Sequence, residues 1–170
     1  MTPEILLYSV IEPAMVLLDP IHDTPAARAM LLAIAMQESS LRSRVQVLDA
    51  GKPWWQSRHG PAHGWWQFEA GGGVTAVMGN PRTKQMVDPV ITQLAYPFDV
   101  KAIHDAIVHN DLLAAVFARA LLYSAPWPLP MRHNDAESWR QYLWAWRPGK
   151  PHERTWSRNY RIAWETVLGA

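Results

Sequence analysis

Twice within the first 25 residues a threonine is followed directly by a proline, at Thr2-Pro3 and Thr24-Pro25. The threonine suits an N-cap, where its hydroxyl accepts from an otherwise orphaned amide. The proline suits the first helical turn, where its missing N–H would have had no partner. Such helix starts recur along the chain while strand signals stay weak, so the sequence predicts a mainly α fold. The first helix is expected to reach about Leu18, with a kink near Pro13, and the second to run from Pro25 to about Ser39. Gly51, Pro53, Gly60 and Pro61 mark residues 42–63 as a long loop holding at most a small hairpin. "EAGGGVTAVMGNP" predicts a glycine-rich turn and one short helix, and "RTKQMVDPVITQLAY" a helix broken at Pro89. "DVKAIHDAIVH" and "DLLAAVFARALLYS" predict two more helices, the second capped by Asn110 or Asp111. "APWPLP" cannot be helical. Asn134 to Arg147 is expected to be helical, with Asn134 and Glu137 as a capping-box-like start and Pro148-Gly149 as its stop. A last helix runs from about Pro151 to Leu168, with Gly169 as its C-cap. No linker or repeat divides the 170 residues, so one domain spanning 1–170 is expected.

Composition excludes several classes. There is no cysteine, hence no disulfide or thiolate metal site. A net charge of +1 gives no electrostatic pull toward nucleic acid or a membrane surface. The apolar N-terminus lacks a basic n-region and carries Glu4, Glu12 and Pro13, which argues against a signal peptide and for synthesis in the cytoplasm. No uncharged apolar run of about 18 residues is present, so no membrane span is expected. No His or acid pattern has metal-ligand spacing: Pro61 separates His59 from His63, and no H-E-x-x-H occurs, so neither metal nor cofactor is expected. The unusual count is ten Trp, which serve either as core anchors or, since a flat indole stacks on a pyranose, as walls of a sugar cleft.

One residue sits oddly in this pattern. "MLLAIAMQE" is an apolar run closed by a carboxylate, Glu38. Glu38 follows Leu31 by seven and Ile34 by four, which puts it on the same helix side as the core stripe. Desolvation there disfavours the charged form and raises the pKa, and a carboxylic acid still protonated near neutrality is a general acid. The alternative is a glutamate at a fraying helix end, reaching solvent or pairing with Arg42 at i+4.

Downstream lies Gly64-Trp65-Trp66-Gln67. The order Glu38-Ser39-Ser40-Leu41, then Gly64-Trp65-Trp66-Gln67, then Ala145-Trp146-Arg147-Pro148-Gly149 at a helix end resembles the lysozyme-like superfamily. It looks most like the lytic transglycosylases and goose-type lysozymes, with their E-S, G-L-M-Q and A-Y-N-A-G blocks. The chain departs from them in a longer loop after the glutamate, in two tryptophans before Gln67, and in Trp146 where relatives carry a tyrosine near the catalytic glutamate. An indole can donate a hydrogen bond but has no hydroxyl.

The resemblance implies a single lysozyme-like domain that cleaves the β-1,4 bond between N-acetylmuramic acid and N-acetylglucosamine in peptidoglycan glycan strands. Glu38 would protonate the leaving oxygen of an oxocarbenium-like transition state. In lytic transglycosylases the substrate's own N-acetyl and hydroxyl groups replace a second carboxylate, and the product is a 1,6-anhydro sugar. Glu69 is either that second carboxylate, as in hydrolytic relatives, or a surface residue before the glycine turn. Ser39 either orients Glu38 or caps the helix. Gly64 would let the backbone approach a sugar or Glu38, and Gln67 offers a donor and an acceptor. Trp65, Trp66 and Trp146 complete the expected substrate-binding set. With no signal peptide, such a protein would act at the bacterial cell wall as a phage product, with other virion proteins as partners. Two other classes compete: a non-enzymatic phage tail or virion protein that keeps the fold, and a carbohydrate-binding module that needs the aromatics but not the glutamate.

Overall fold

The structure is a computed structural model that describes residues 1–49, 51–52 and 54–169, without the side chain of Trp54. Pro53, one of the expected loop breakers, and Ala170 lie outside the described residues. The molecule is mainly helical, with one small antiparallel hairpin.

The N-terminal helix begins as α1 (Pro3–Leu6), where the Thr2 hydroxyl accepts from the Ile5 amide at 3.3 Å. It passes through a π turn (Leu7–Ile11) into α2 (Glu12–Met15). The irregularity expected near Pro13 is therefore this π turn just before it, closed where the Glu12 N–H reaches the Leu7 carbonyl. A wider turn accommodates a ring that would crowd the carbonyl four residues back. The helix stops at Met15 rather than Leu18, because the Leu17 and Leu18 amides bond three residues back.

Helix α3 (Pro25–Ser39) starts on Thr24, whose hydroxyl accepts from the Ala27 amide at 3.1 Å. Every residue from Ala29 to Met36 is buried, so α3 is apolar on all sides and forms the centre of the molecule. It packs chiefly on α9 (Glu153–Leu168) and also on α7 (Asp111–Tyr123), another buried helix. The long loop contains β1 (Val45–Val47) and β2 (His59–His63), paired antiparallel with a register irregularity between Val45 and Val47.

After a π turn (Ala70–Val74) come α4 (Thr75–Gly79) and α5 (Pro81–Gln93). Helix α5 is not broken at Pro89. Pro89 and Gln85, whose carbonyl loses its amide partner, are both exposed, so water can serve that carbonyl. Helix α6 (Val100–Ile107) is capped by Asp99, and α7 by Asn110, whose side chain accepts from the Leu113 amide. Helix α8 (Asp135–Trp146) starts without the expected box: Asn134 makes no side-chain cap bond at ψ 62, and Glu137 instead pairs with Arg140. Arg147 closes α8 in the left-handed region (φ 47), and Gly169 closes α9 in the same way (φ 69).

Helices α8 and α9 meet through stacked aromatics. Tyr142 lies on Trp156 at 4.8 Å between centroids, and Trp156 on Tyr160 at 6.1 Å. The Trp156 indole donates to the Ser138 hydroxyl at 2.8 Å. Rings have few rotamers to lose, so this stack ties α8 to α9 at little entropic cost. Among the described residues, no single helix is long and apolar enough to cross a membrane.

Candidate functional site

Glu38 lies in the last turn of α3, just before the chain reverses through Ser40 (φ 48) and Leu41 (φ 53). Ser39 serves the backbone: its hydroxyl donates to the Ala35 carbonyl at 2.8 Å and accepts from the Leu41 amide at 3.2 Å. Of the two roles expected for it, the bonds made are those of a helix end. The reversal leaves Glu38 half-buried against α8 rather than spread into solvent.

The Glu38 carboxyl meets Tyr142, whose hydroxyl donates to Oε1 at 2.6 Å. Glu38 is therefore partnered across the fold and not by Arg42 on its own turn. Burial raises the Glu38 pKa to about 7, against a smaller lowering from the Tyr142 hydrogen bond. Desolvation prevails because one neutral donor replaces only part of the hydration a carboxylate loses. The Tyr142 phenol is itself pushed well above its usual range, by burial first and then by the neighbouring Glu38 charge, so it stays a donor at every physiological pH.

The Gly64-Trp65-Trp66-Gln67 segment is a tight loop. His63 and Phe68 exchange backbone hydrogen bonds at 2.8 and 2.7 Å across its base. Gln67 (φ 51) closes it, and its Nε2 donates to the Gly64 carbonyl at 2.8 Å. The Gln67 amide nitrogen thus binds the protein's own backbone. Gly64 has φ +73, and a Cβ there would lie 2.7 Å from Ile107 Cγ2. The close approach that requires glycine is to α6, not to Glu38.

The two tryptophans belong to the core. Trp66 is 0% exposed and its indole donates to the Leu31 carbonyl of α3 at 2.9 Å. Trp65 is 4% exposed, and the Arg44 guanidinium covers its ring at 4.5 Å while held by Asp111 at 2.7 Å. Neither offers a free face to a sugar, which corrects their expected placement in the substrate cleft: an indole beside the central helix gains more from burial than from exposure. Trp146 is half-buried, and its indole donates to the Trp66 carbonyl at 3.0 Å.

The three sequence blocks therefore converge. Glu38–Tyr142 joins α3 to α8, Trp146–Trp66 joins α8 to the loop, and Trp66–Leu31 joins the loop back to α3. Glu69 stands apart: its side chain is exposed, and its carbonyl accepts from the Gly72 and Val74 amides at the start of the π turn. Among the described residues, no hydrogen bond or ion pair joins it to Glu38.

Known protein families, curated proteins and solved structures provide no match to this chain. The resemblance read from the sequence therefore rests on its motifs alone.

Tyr142 was not among the residues singled out by sequence. It stands four positions before Trp146 and so shares its helix face, which was the available signal. Trp146 bonds the Trp66 carbonyl, and Tyr142, one turn earlier on α8, is the residue that bonds Glu38.

His63, His104 and Asp105 place one potential metal-ligand atom each within 4.8 Å of one another. The two imidazoles, however, are stacked at 3.9 Å and 12°, so their in-plane lone pairs run side by side instead of converging. His104 Nε2 lies 2.9 Å from the Pro61 and Phe68 carbonyls, and His63 Nδ1 lies 3.1 Å from the His104 carbonyl. Both nitrogens must donate, and the pair ties β2 to α6.

Proposed function

We propose that the chain is a peptidoglycan-cleaving glycosidase of the lysozyme-like kind, with Glu38 as its general acid and base. The observation that carries this reading is the buried Glu38 carboxyl, poised at a pKa of about 7 and held by Tyr142 at 2.6 Å. At neutral pH a large share of the molecules carry the proton, and a pKa near the operating pH balances the fraction protonated against the driving force for proton transfer.

In this mechanism protonated Glu38 gives its proton to the glycosidic oxygen as the bond from that oxygen to the anomeric carbon breaks. The leaving sugar departs as an alcohol, and positive charge develops on the ring left behind. Glu38 is now a carboxylate, and the Tyr142 hydroxyl donates to it at the moment its charge appears. A nucleophilic hydroxyl then attacks the anomeric carbon and returns its proton to Glu38, which restores the starting state. With the 6-hydroxyl of the same sugar as nucleophile the product is an anhydro sugar; with water it is a hydrolysed chain end. Glu69, exposed and unconnected to Glu38, favours the single-carboxylate route.

A second reading, a non-enzymatic virion or tail protein on the same fold, is favoured by a different observation. A cavity of about 770 Å³ lies away from Glu38, which is not among its lining residues, and Trp65 and Trp66 are core residues. Digestion of purified peptidoglycan, with products analysed by mass spectrometry for wild type and Glu38→Gln side by side, separates the two. Glycan fragments from wild type alone support the enzyme. No fragments from wild type on peptidoglycan of several hosts would leave the structural reading standing.

A further inference from the structure

That cavity, about 770 Å³, lies at the other end of the central helix. It is bounded by the start of α3 at Thr24, Pro25 and Ala26, by the C-terminal half of α7, by the proline-rich segment 125–131, and by the end of α9. Ala26 and Glu38 are twelve residues apart on α3, roughly 18 Å at helical rise. The cavity is thus separate from the Glu38 site, and its role is independent of the function proposed for that site.

Its walls are mostly apolar, including Leu122, Leu129 and Trp164. Around them Ile21 and Met131 are 75% and 67% exposed, large apolar side chains left in water at the cavity's edge. A volume of this size suits a small molecule of the kind that fills a mainly apolar pocket with a few polar anchors.

The anchors present are cationic. Arg119 lines the cavity, is 4% exposed, and donates from Nε to the His22 carbonyl at 2.8 Å. Its Nη1 is buried with no acceptor. Asp23, the acid beside His22 in sequence, is committed to Arg28 by two bonds of 2.7 Å. Arg82 also lines the cavity, with its guanidinium 4.9 Å from the centre of the Tyr123 ring, while that of Arg119 lies 5.6 Å from the same ring. Among the described residues neither arginine has an ion-pair partner. A buried guanidinium is costly without a counter-charge, and burial lowers the Arg119 pKa to about 10. Beyond its bond to the His22 carbonyl Arg119 has no anionic partner within ion-pair distance among the described residues, and an anion entering the cavity would meet two cations beside Tyr123.

We propose that this cavity binds a small amphipathic anion, an apolar chain with an anionic oxygen head group, whose head pairs with Arg119 and Arg82 and whose tail lies along Leu122, Leu129 and Trp127. The head group is a carboxylate or a phosphate; both present oxygens that a guanidinium fork accepts, and an uncharged head would leave Arg119 unpaired.

Titration calorimetry with decanoate, decyl phosphate and decan-1-ol, each below its aggregation concentration, tests this on the intact chain. Decanoate or decyl phosphate is expected to bind about tenfold or more tightly than decan-1-ol, the usual worth of a charge-assisted hydrogen bond in a desolvated site. The tighter of the two anions identifies the head group. Arg119→Met should abolish that preference, and Arg82→Gln should weaken it. Because Arg119 also holds the His22 carbonyl, its variant can fail to fold; the exposed Arg82 and the wild-type comparison with decan-1-ol then decide. Equal binding of decan-1-ol and both anions, binding unchanged in Arg82→Gln and Arg119→Met, or no binding of either anion would overturn the proposal.

Discussion

The Tyr142 hydroxyl donates a 2.6 Å hydrogen bond to Glu38 across 104 residues of sequence. It lowers the Glu38 pKa against a larger rise from burial. Removing the hydroxyl leaves the burial contribution unopposed. Tyr142→Phe keeps the ring stacked on Trp156 and should move the Glu38 pKa upward from about 7. Carbon-detected NMR titration of the Glu38 carboxyl measures this directly, and the alkaline limb of any cleavage activity should move with it. An unchanged or lower pKa would show that the bond does not act on the carboxyl as described.

For the proposed chemistry, Glu38→Gln keeps size and shape but carries no transferable proton. Glycan cleavage should fall by roughly two to four orders of magnitude, the usual share of general acid–base catalysis. Glu69→Gln, altering an exposed side chain, should change the rate far less. An equal collapse in both variants would point to a two-carboxylate hydrolase.

The same Glu38 substitution has a signature in stability that needs no substrate. The folded pKa of about 7 lies above the ordinary value of 4.5, so between these values the folded state binds more protons than the unfolded chain. Stability contributed by Glu38 is therefore full below pH 4.5 and declines as pH rises toward about 7. Relative to wild type, Glu38→Gln should gain roughly 2–3 kcal/mol on going from about pH 4 to about pH 8. Denaturant unfolding of both proteins at the two pH values measures the difference. A gain on moving toward acid would contradict the sign of the shift.

Gly64→Ala tests the loop. An alanine would be held at φ +73 with its Cβ 2.7 Å from Ile107 Cγ2, two faults at one position. A loss of about 2–4 kcal/mol is expected in denaturant unfolding, from left-handed strain together with overpacking. Because Ile107→Ala removes Cγ2 itself, Gly64→Ala should cost less in an Ile107→Ala background than in wild type, whereas a neutral Gly64→Ala would show that the loop shifts freely.

Much of the helical plan was legible because caps and prolines act locally. Thr24, Asp99 and Asn110 each accept from an amide three residues on, as short polar side chains before an apolar run should. Pro89 and Asn134 depart from what their residue types suggest, for two different reasons. Pro89 does not break α5, since the carbonyl it orphans faces water, and Asn134 does not cap α8, since its backbone angle is wrong. Neither exposure nor ψ can be read from residue type. The tryptophans were misplaced for a related reason: an indole suits a core and a sugar cleft equally well, and only its neighbours decide.

By itself the sequence determined that this chain is mainly helical and that Glu38 closes an apolar helix. These follow from local sterics, capping and periodicity, which act over a few residues. Only the tertiary structure decided that Tyr142 is the partner of Glu38, that Trp65 and Trp66 are core, and that Arg119 is buried with its Nη1 unpartnered and, among the described residues, no ion pair. Those outcomes depend on which distant surfaces exclude water from a given group. Desolvation, which sets the Glu38 pKa and leaves Arg119 in want of an anion, is a property of the assembled neighbourhood and not of any residue in it.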